Sequence, residues 1–217
     1  IKSISIVSRA SSLATIQARI VGDRIKEILP NTSIRYHTTK TDADINININ
    51  ISDPSEIGIF TRDISTRVID GECDLAVHSW KDLPIEPSSE TEIIGTLERG
   101  DMRDVIIMKS NTASLEFKKE IKLLTSSPRR RFNLGQILPT LVPVKFKNIT
   151  FTDIRGNIQT RLKKFQSGNE DAIILAKVAL DRLIEFGNED IKKYIKSVLS
   201  ENKWSILPLS IFPTAPG

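Results

Sequence analysis

Residues 74–84 read Asp-Leu-Ala-Val-His-Ser-Trp-Lys-Asp-Leu-Pro. Leu75 and Val77 alternate as the inward face of a buried strand does, and Pro84 stops further strand pairing. The polar side chains between them are expected at or just beyond the carboxyl end of this strand, where open α/β sheets hold ligands. They are His78, Ser79, Lys81 and Asp82. A carboxylate beside an ammonium could orient a substrate or stabilise developing positive charge, although this run alone slightly favours an ordinary surface Lys–Asp pair.

The composition indicates a cored protein without disulfides. The chain has 217 residues, 39% of them hydrophobic, which suffices for one large or two small domains. Lys and Arg total 31 against 27 Asp and Glu, and a net charge of +4 spread among many acids does not indicate a nucleic-acid-binding tail. The single cysteine, Cys73, excludes an internal disulfide and a cysteine-based zinc site, and it fits a reducing compartment.

The two ends of the sequence are both predicted to be cut from a longer protein. The chain begins in a strand-like run without Met, and it ends at Gly217 without a final helix. No apolar run approaches the length that spans a bilayer, and no signal peptide is visible. A targeting segment could have been lost with the start.

Apolar runs and helical stripes alternate along the chain and predict the α/β class. Strands are predicted over residues 4–7, 33–38, 75–77, 92–97, 105–108, 121–124, 144–151 and 171–175. Helices are predicted from Ser11 or Ser12 to Pro30, over 55–69 before Gly71, from the 125–131 motif to 138, from 155–157 through 165, and over 178–186 and 190–199. The alternating Ile and Asn of residues 45–51 indicate a mobile loop or a weak edge strand, and residues 206–212 form a last apolar segment.

Two charged turns, near residues 99–104 and 200–203, are the predicted crossings between two lobes of mixed sheet flanked by helices. The first lobe would comprise residues 1–99 plus 204–217, and the second would comprise residues 100–203. A cleft is expected between the lobes. No internal repeat of the solenoid type is visible.

Three predicted helices begin with arginine beside small polar residues. The sets are Arg9 with Ser11 and Ser12, Arg129 to Arg131 with Ser126 and Ser127, and Arg155 to Arg161 with Gly156 and Asn157. Cations at a helix N-terminus oppose the helix dipole by a few tenths of a kcal/mol each. A bound anion would compensate, because helix N-termini favour anions and the arginine fork suits a carboxylate or phosphate. The alternative is that these arginines point to solvent or pair with acids.

Several single residues carry an ordinary structural interpretation beside the functional one. On a helix with Lys163 and Lys164, Arg161 is more simply a solvent-facing cation. An ion pair with Asp181 or Glu185 is the default for Arg182. His78 is expected to be a hydrogen-bonded histidine at a strand end, and Trp80 is expected to pack rather than to stack on a ligand.

Four motifs together resemble those of the hydroxymethylbilane synthase (porphobilinogen deaminase) family. They are His-Ser-Trp-Lys-Asp-Leu-Pro (78–84), Thr-Ser-Ser-Pro-Arg-Arg (125–130), Arg-Gly-Asn-Ile-Gln-Thr-Arg-Leu (155–162) and Asp-Ala-Ile-Ile-Leu-Ala (171–176). Residues 8–14, 58–60 and 99–104 fit in the same order. The resemblance covers essentially the whole chain, and the motifs are specific jointly rather than singly.

The resemblance implies a transferase of tetrapyrrole and haem biosynthesis. Such enzymes join four porphobilinogen molecules head to tail, release ammonia each time and yield the linear tetrapyrrole hydroxymethylbilane. Growth starts on a dipyrromethane cofactor attached to a cysteine. Every pyrrole ring carries an acetate and a propionate, so the growing chain is polyanionic, which agrees with the arginine pattern.

The family fold implies three α/β domains, of which the first two resemble the lobes of a solute-binding protein. The third domain, which carries the cofactor cysteine, is absent from this chain, and Cys73 does not match the attachment position. This portion alone is therefore expected to be inactive. A monomer is expected, in the cytoplasm or a plastid, without a nucleic-acid, membrane or metal partner.

The site residues implied by the resemblance fall into three groups. Asp82 matches the catalytic aspartate, which would hold pyrrole N–H groups and stabilise the cation formed as ammonia leaves, with Lys81 beside it. Positions that hold the cofactor are matched by Ser79, Lys81, Asp82, Thr125, Ser126, Ser127, Arg129, Arg130, Arg155, Gly156 and Asn157. Further substrate-binding positions are matched by Arg9, Ser11, Arg161 and Arg182. The alternative function is a two-lobed module that binds an anion or carboxylate without chemistry.

Overall fold

The computed structural model describes residues 2–39, 61–84, 86 and 88–214. The chain divides into two compact units, Ile1–Arg99 and Gly100–Ala215. Each unit contains a β-sheet with helices, so the predicted α/β class is confirmed. In the part of the chain described, no helix is both long and apolar enough to cross a membrane.

The first unit is built on a parallel three-stranded sheet in the order β2-β1-β3. Its elements are β1 (Ser3–Arg9), α1 (Ser12–Ile28), β2 (Ser33–Thr39), α2 (Arg62–Ile69), β3 (Leu75–Ala76) and a 3-10 turn (Trp80–Asp82). One face of β1 packs Ile4 and Ile6 against Ala18 of α1, and the other face packs Val7 against Ile64 and Cys73. Cys73 is therefore a core thiol.

Local signals in the first unit act as the sequence predicts. The Ser11 hydroxyl accepts a hydrogen bond from the Ala14 N–H at 3.3 Å and caps α1. Gly71 follows α2 with φ of +74°, a left-handed conformation that favours glycine. The Ile/Asn run at residues 45–51 and the predicted helix start at residue 55 lie outside the described residues.

The second unit holds a five-stranded mixed sheet in the order β6-β5-β7-β4-β8. Its elements are β4 (Asp104–Lys109), α3 (Ser110–Ala113), β5 (Phe117–Leu124), α4 (Pro128–Leu141), β6 (Lys145–Thr152), α5 (Ile158–Ser167), β7 (Ala172–Ala176), α6 (Lys177–Phe186), α7 (Glu189–Glu201) and β8 (Asn202–Ile206). β5 is parallel to β6 and β7, whereas β4 is antiparallel to β7 and β8. Leu134, Leu138 and Phe212 pack on one face of the sheet.

Three predictions about segments between these elements are wrong. Residues 91–103 form neither helix nor strand, and Ile94 of this apolar run is 76% exposed. The predicted turn at residues 200–203 is instead a direct passage from α7 into β8. Residues 204–214 lie in the second unit rather than the first, since β8 pairs with β4 and Phe212 is fully buried in that core.

A buried aspartate ties together the amino-end edge of the second sheet. Asp171, 3% exposed, accepts hydrogen bonds from the Thr112 hydroxyl at 2.8 Å, the Lys122 N–H at 2.9 Å and the Lys118 ammonium. Burial would raise the pKa of this carboxyl, but the three hydrogen bonds outweigh it and hold the pKa below its usual value. Asp171 thus anchors the start of β7 to Lys118 and Lys122 of β5 and to Thr112 of α3.

Candidate functional site

The carboxyl edge of the first sheet collects the polar residues of the 78–84 motif. β1, β2 and β3 are parallel, so their carboxyl ends lie at one edge. Arg9 ends β1 and α1 starts three residues later, while His78 to Asp82 follow β3. The backbone bond from the Val77 N–H to the Val7 carbonyl, 2.9 Å, carries the pairing one residue beyond β3. The predicted position of the motif past a strand end is confirmed.

Lys81 and Asp82 form an ion pair, with 2.5 Å between Nζ and Oδ1. The 3-10 turn places them side by side, and the Asp82 N–H donates to the Ser79 carbonyl at 2.9 Å. The Asp82 side chain is 18% exposed and that of Lys81 is 61% exposed. The carboxylate is therefore shielded while its ammonium partner reaches into solvent.

His78 differs from the sequence prediction. Its Nε2 atom is buried and has no hydrogen-bond partner among the described residues, although a satisfied histidine was expected. Burial lowers the pKa of His78; Asp82 raises it and Arg9 lowers it, and the net pKa is below the usual value. At neutral pH the imidazole is neutral, so one ring nitrogen can accept a hydrogen bond and the other can donate one.

The other predicted residues of this edge have structural roles as well. Ser79 Oγ accepts a hydrogen bond from Gln17 Nε2 of α1 at 3.1 Å, a contact that no sequence pattern indicated. The Ser11 hydroxyl is the cap of α1. Trp80, expected to pack, is 51% exposed instead.

The carboxyl edge of the second sheet collects the arginines of two further motifs. β5, β6 and β7 are parallel, and they lead into α4, α5 and α6, so three helix N-termini lie at this edge. Asp104 belongs to the same edge, because it stands opposite Ala176 in the antiparallel pairing of β4 with β7. The Ser127 and Asn157 side chains cap α4 and α5.

Arg129 and Arg130 both bind Asp104. The distances are 2.7 Å from Arg129 Nη2 to Oδ2, 2.6 Å from Arg130 Nη2 to Oδ1 and 3.1 Å from Arg130 Nε to Oδ2. Arg131 pairs with Asp153 and donates to the Thr125 carbonyl. For these three arginines, pairing with acids is thus what the structure shows.

Arg129 also holds the returning segment of the chain. Its Nη1 donates to the Pro213 carbonyl, and its guanidinium lies 5.4 Å from the centre of the Phe212 ring. Arg129 therefore has three structural partners, counting Asp104.

Arg161 and Arg182 form no ion pair with any acid among the described residues. Arg161 Nε donates to the Gly156 carbonyl at 2.7 Å, and its pKa is lowered by burial first and by the Arg130 charge second. Burial alone lowers the pKa of Arg182. Neither guanidinium forms an ion pair within the described ranges; Asp181 instead pairs with Lys177, at 2.5 Å. Arg161 is half-buried, so it is only partly solvent-facing. The ion-pair default for Arg182 is wrong among the described residues.

The hydroxyls of the 125–127 motif are engaged within the unit. Ser126 Oγ donates to the Ile154 carbonyl at 2.9 Å and accepts from the Ile154 N–H at 2.8 Å. Thr125, 2% exposed, accepts from the Ser127 N–H, and Ser127 accepts from the Arg130 N–H. These contacts hold the start of α4 against the loop that leads to α5.

The left-handed backbone at Gly156 shapes that second loop. Its φ is +108°, and an added Cβ would come within 2.8 Å of the Thr160 side chain, so only glycine fits there.

In the portion of the chain described, no group of three His, Cys, Asp or Glu residues could hold a metal ion.

Comparison with known proteins agrees with the motifs. The family model described as "Porphobilinogen deaminase, dipyromethane cofactor binding domain" matches residues 4–208. The chain belongs to this family. The porphobilinogen deaminase of Caldicellulosiruptor saccharolyticus is 37% identical over 182 residues, which cover 84% of this chain and 60% of the relative. That of Fusobacterium nucleatum subsp. nucleatum is 38% identical over 199 residues, which cover 88% and 63%.

A structural relative was found as well. A periplasmic sulfonate-binding protein from Methylobacillus flagellatus is 12% identical, with a TM-score of 0.45, and the match covers 95% of this chain and 56% of that one. The chain spans roughly three fifths of the length of the porphobilinogen deaminases that it matches, 60% and 63% in the two cases above.

Sequence reasoning missed Asp104, the acid that binds two of the predicted arginines. The residue was visible only as the last member of a charged turn before the apolar run of β4. An acid at the start of a strand predicted to be fully buried is a signal that could have marked it, because a buried carboxylate needs a cationic partner. Its two partners, Arg129 and Arg130, lie 25 and 26 positions away in sequence, so only the sheet register identifies them.

Proposed function

We propose that this chain forms two domains of a porphobilinogen deaminase, which condenses four porphobilinogen molecules into hydroxymethylbilane with release of ammonia. The observation that carries the proposal is that two half-buried guanidiniums, Arg161 and Arg182, form no ion pair with an acid among the residues described, and that partial burial lowers the pKa of each. Desolvating a cation without a counter-ion is unfavourable, so such a pair is expected where a ligand supplies the anions. A chain of pyrroles with acetate and propionate side groups is such a ligand.

The residues at the second carboxyl edge suit a dipyrromethane cofactor. Its carboxylates would be held by Arg161, by the unused N–H groups of Arg130 and by the α5 N-terminus at Gly156 and Asn157. The group supplies the free pyrrole end to which new units are added. The remaining positions proposed to hold it are Ser79, Lys81, Asp82, Thr125, Ser126, Ser127, Arg129 and Arg155. Arg9, Ser11 and Arg182 are proposed for the substrate.

The cofactor is proposed to be attached outside this chain. Cys73 is 3% exposed, and burial raises the pKa of its thiol, so the reactive thiolate is disfavoured. Its place between α2 and β3 is in the core rather than at the carboxyl edge. Both observations support the proposal that Cys73 is not the attachment residue.

Asp82 is proposed as the catalytic group. Its Oδ1 is held by Lys81, whereas Oδ2 has no hydrogen bond to any described residue and can accept pyrrole N–H groups. A fixed carboxylate in a shielded site stabilises a positive centre more than water does. Asp82 would thus stabilise the cation that forms as ammonia leaves. The enzyme is proposed to be a cytoplasmic monomer, and the bacterial origin of the matched relatives above supports the cytoplasmic location.

The test is Asp82→Glu in the full-length protein that contains this chain. Glutamate keeps the charge but moves it by one methylene, so we expect product formation to fall by roughly 10²-fold or more while binding of a free dipyrromethane changes less than about threefold. Product formation and calorimetric binding are measured on the same preparation. Equal losses of both would favour the alternative, a two-lobed carboxylate-binding module without chemistry.

A further inference from the structure

Asp104 is the buried centre of the arginine cluster, and neither the sequence patterns nor the family resemblance gave it a role. It is 2% exposed at the first position of β4. Its backbone carbonyl accepts from the Leu207 N–H at 2.8 Å, which fixes the strand start on its other side. Its two carboxylate oxygens accept all of the three hydrogen bonds described above from Arg129 and Arg130.

The contact with Arg130 is two-pronged, and this fixes the plane of the guanidinium. Nε and Nη2 both meet the carboxylate, while Nη1 lies 3.5 Å from the Ile174 carbonyl. A guanidinium has five N–H donors in a rigid fork. When the Nε–Nη2 side is occupied, the opposite edge, formed by Nη1 and the second Nη2 hydrogen, is held in one orientation.

Asp104 also allows several cations to stand together. Arg129 and Arg130 carry two positive charges against one carboxylate, and the Arg130 charge acts on Arg161. Without the carboxylate, the guanidiniums would repel one another and rotate toward solvent. With it, the edge keeps an excess of positive charge in a fixed arrangement.

We infer that Asp104 is a positioning residue for the anion site. It holds Arg130 so that, beside the Nη1 bond to the Ile174 carbonyl, one N–H of Nη1 and one of Nη2 can donate to a ligand carboxylate. The inference rests on the proposed function, since the ligand is taken to be a pyrrole polycarboxylate. Asp104 itself does not touch the ligand. It acts through Arg130, and Arg129 joins the same carboxylate to the 212–213 segment.

Replacing the charge separates positioning from simple charge balance, because the two predict opposite signs. If Asp104 only reduced the positive potential, Asp104→Asn would make the site more cationic and tighten anion binding. If it positions Arg130, Asp104→Asn weakens binding by about tenfold or more, the size expected when a charge-assisted hydrogen bond is lost. Asp104→Glu keeps the charge and moves it, so it also weakens binding.

Asp171→Asn is the matched control. Asp171 is an equally buried aspartate of the same sheet, with a lysine partner, but it lies at the opposite edge. Loss of either acid costs stability, which a thermal melt records. Only loss of Asp104 should change anion binding.

The experiment is calorimetric titration of the 217-residue chain with a free dipyrromethane that carries an acetate and a propionate on each ring. Weaker binding by both Asp104 variants, with wild-type affinity in Asp171→Asn, supports the inference. Unchanged or tighter binding by a folded Asp104 variant overturns it and leaves the proposed function standing. If Asp104→Asn fails to fold, Asp104→Glu decides alone. No binding by the wild-type chain would overturn the proposed function together with the inference.

Discussion

The two carboxyl edges share a construction and differ in charge. In both, parallel strands end together, and helices capped by Ser11, Ser127 and Asn157 begin there. The first edge presents a shielded carboxylate, Asp82, beside a neutral histidine. The second presents arginines that outnumber the one buried acid that binds them.

The difference shows how one backbone arrangement supports two tasks. Helix N-termini and strand ends supply partial positive charge in each unit, so the side chains decide what each edge does. A carboxylate favours a developing cation, whereas guanidiniums favour carboxylates that are already formed. On the proposed function, the first edge carries the chemistry and the second carries the binding.

The strongest test of this division is Asp82→Asn in the full-length protein. The amide keeps the size but loses the charge, so kcat should fall by about 10²–10³-fold with KM changed less than about threefold. Steady-state kinetics measure the split. A rise in KM without a fall in kcat would reverse the roles assigned to the two edges.

Acid unfolding tests the buried acid at the opposite edge of the second sheet. The pKa of Asp171 is lowered from 3.8, so its stabilisation is complete above pH 3.8 and is lost as pH falls through the folded-state value. Asp171→Asn should reduce the free energy of unfolding at pH 7 by about 1–3 kcal/mol and flatten its dependence on pH below about 4. Denaturant titrations at several pH values measure this.

If the free energy of unfolding of Asp171→Asn depended on pH below 4 as strongly as that of the wild type, other carboxylates would dominate acid unfolding. Asp153→Asn is the matched control, since this carboxylate is 73% exposed and pairs with Arg131 at the surface. Surface ion pairs contribute little to stability, so the free energy of unfolding of Asp153→Asn should depend on pH as that of the wild type does.

Arg161→Gln should sharpen the comparison by moving binding and stability in opposite directions. The half-buried guanidinium forms no ion pair in the described ranges, so its removal should raise Tm by about 2–4 °C. The affinity for the free dipyrromethane should fall by about tenfold. Thermal melts and calorimetry report the two effects.

Arg131→Gln serves as the control for Arg161→Gln, because Arg131 already pairs with Asp153 on the same edge. It should leave dipyrromethane affinity within about twofold of wild type. A lower Tm for Arg161→Gln than for the wild type would contradict the assignment of Arg161 to ligand binding and would indicate a structural cation.

The smallest expected effect concerns the turn that leads into β3. Gly71→Ala should destabilise the protein by about 1 kcal/mol, because φ of +74° is unfavourable for alanine while the added Cβ meets no atom within 4 Å. Gly95→Ala, where the Cβ also meets nothing and φ is not left-handed, should be nearly neutral. Denaturant midpoints of the two variants measure the difference. Equal midpoints would contradict the explanation from the left-handed backbone of Gly71.

Sequence periodicity predicted most elements because the pattern is local. The runs at β4 and β7 are continuous and apolar. Ser11, Asn157 and Gly71 begin or end helices by contacts within four residues. The failures are those in which a distant partner decides. Among the described residues no strand pairs with the apolar run at residues 92–97, and this run is not a strand. Residues 202–206 form a strand because they pair with β4.

By itself, the sequence determined the α/β class, the family, the helix caps and the position of the 78–84 motif past a strand end, since short-range patterning and specific motifs encode all of these. Only the tertiary structure decided which arginines have acids. Asp104 reaches Arg129 and Arg130 because an antiparallel register carries it to the ends of parallel strands. In the described part of the chain, Arg161 and Arg182 lack such a partner for the same reason: burial and counter-ions are set by neighbours in space, which chain spacing does not reveal.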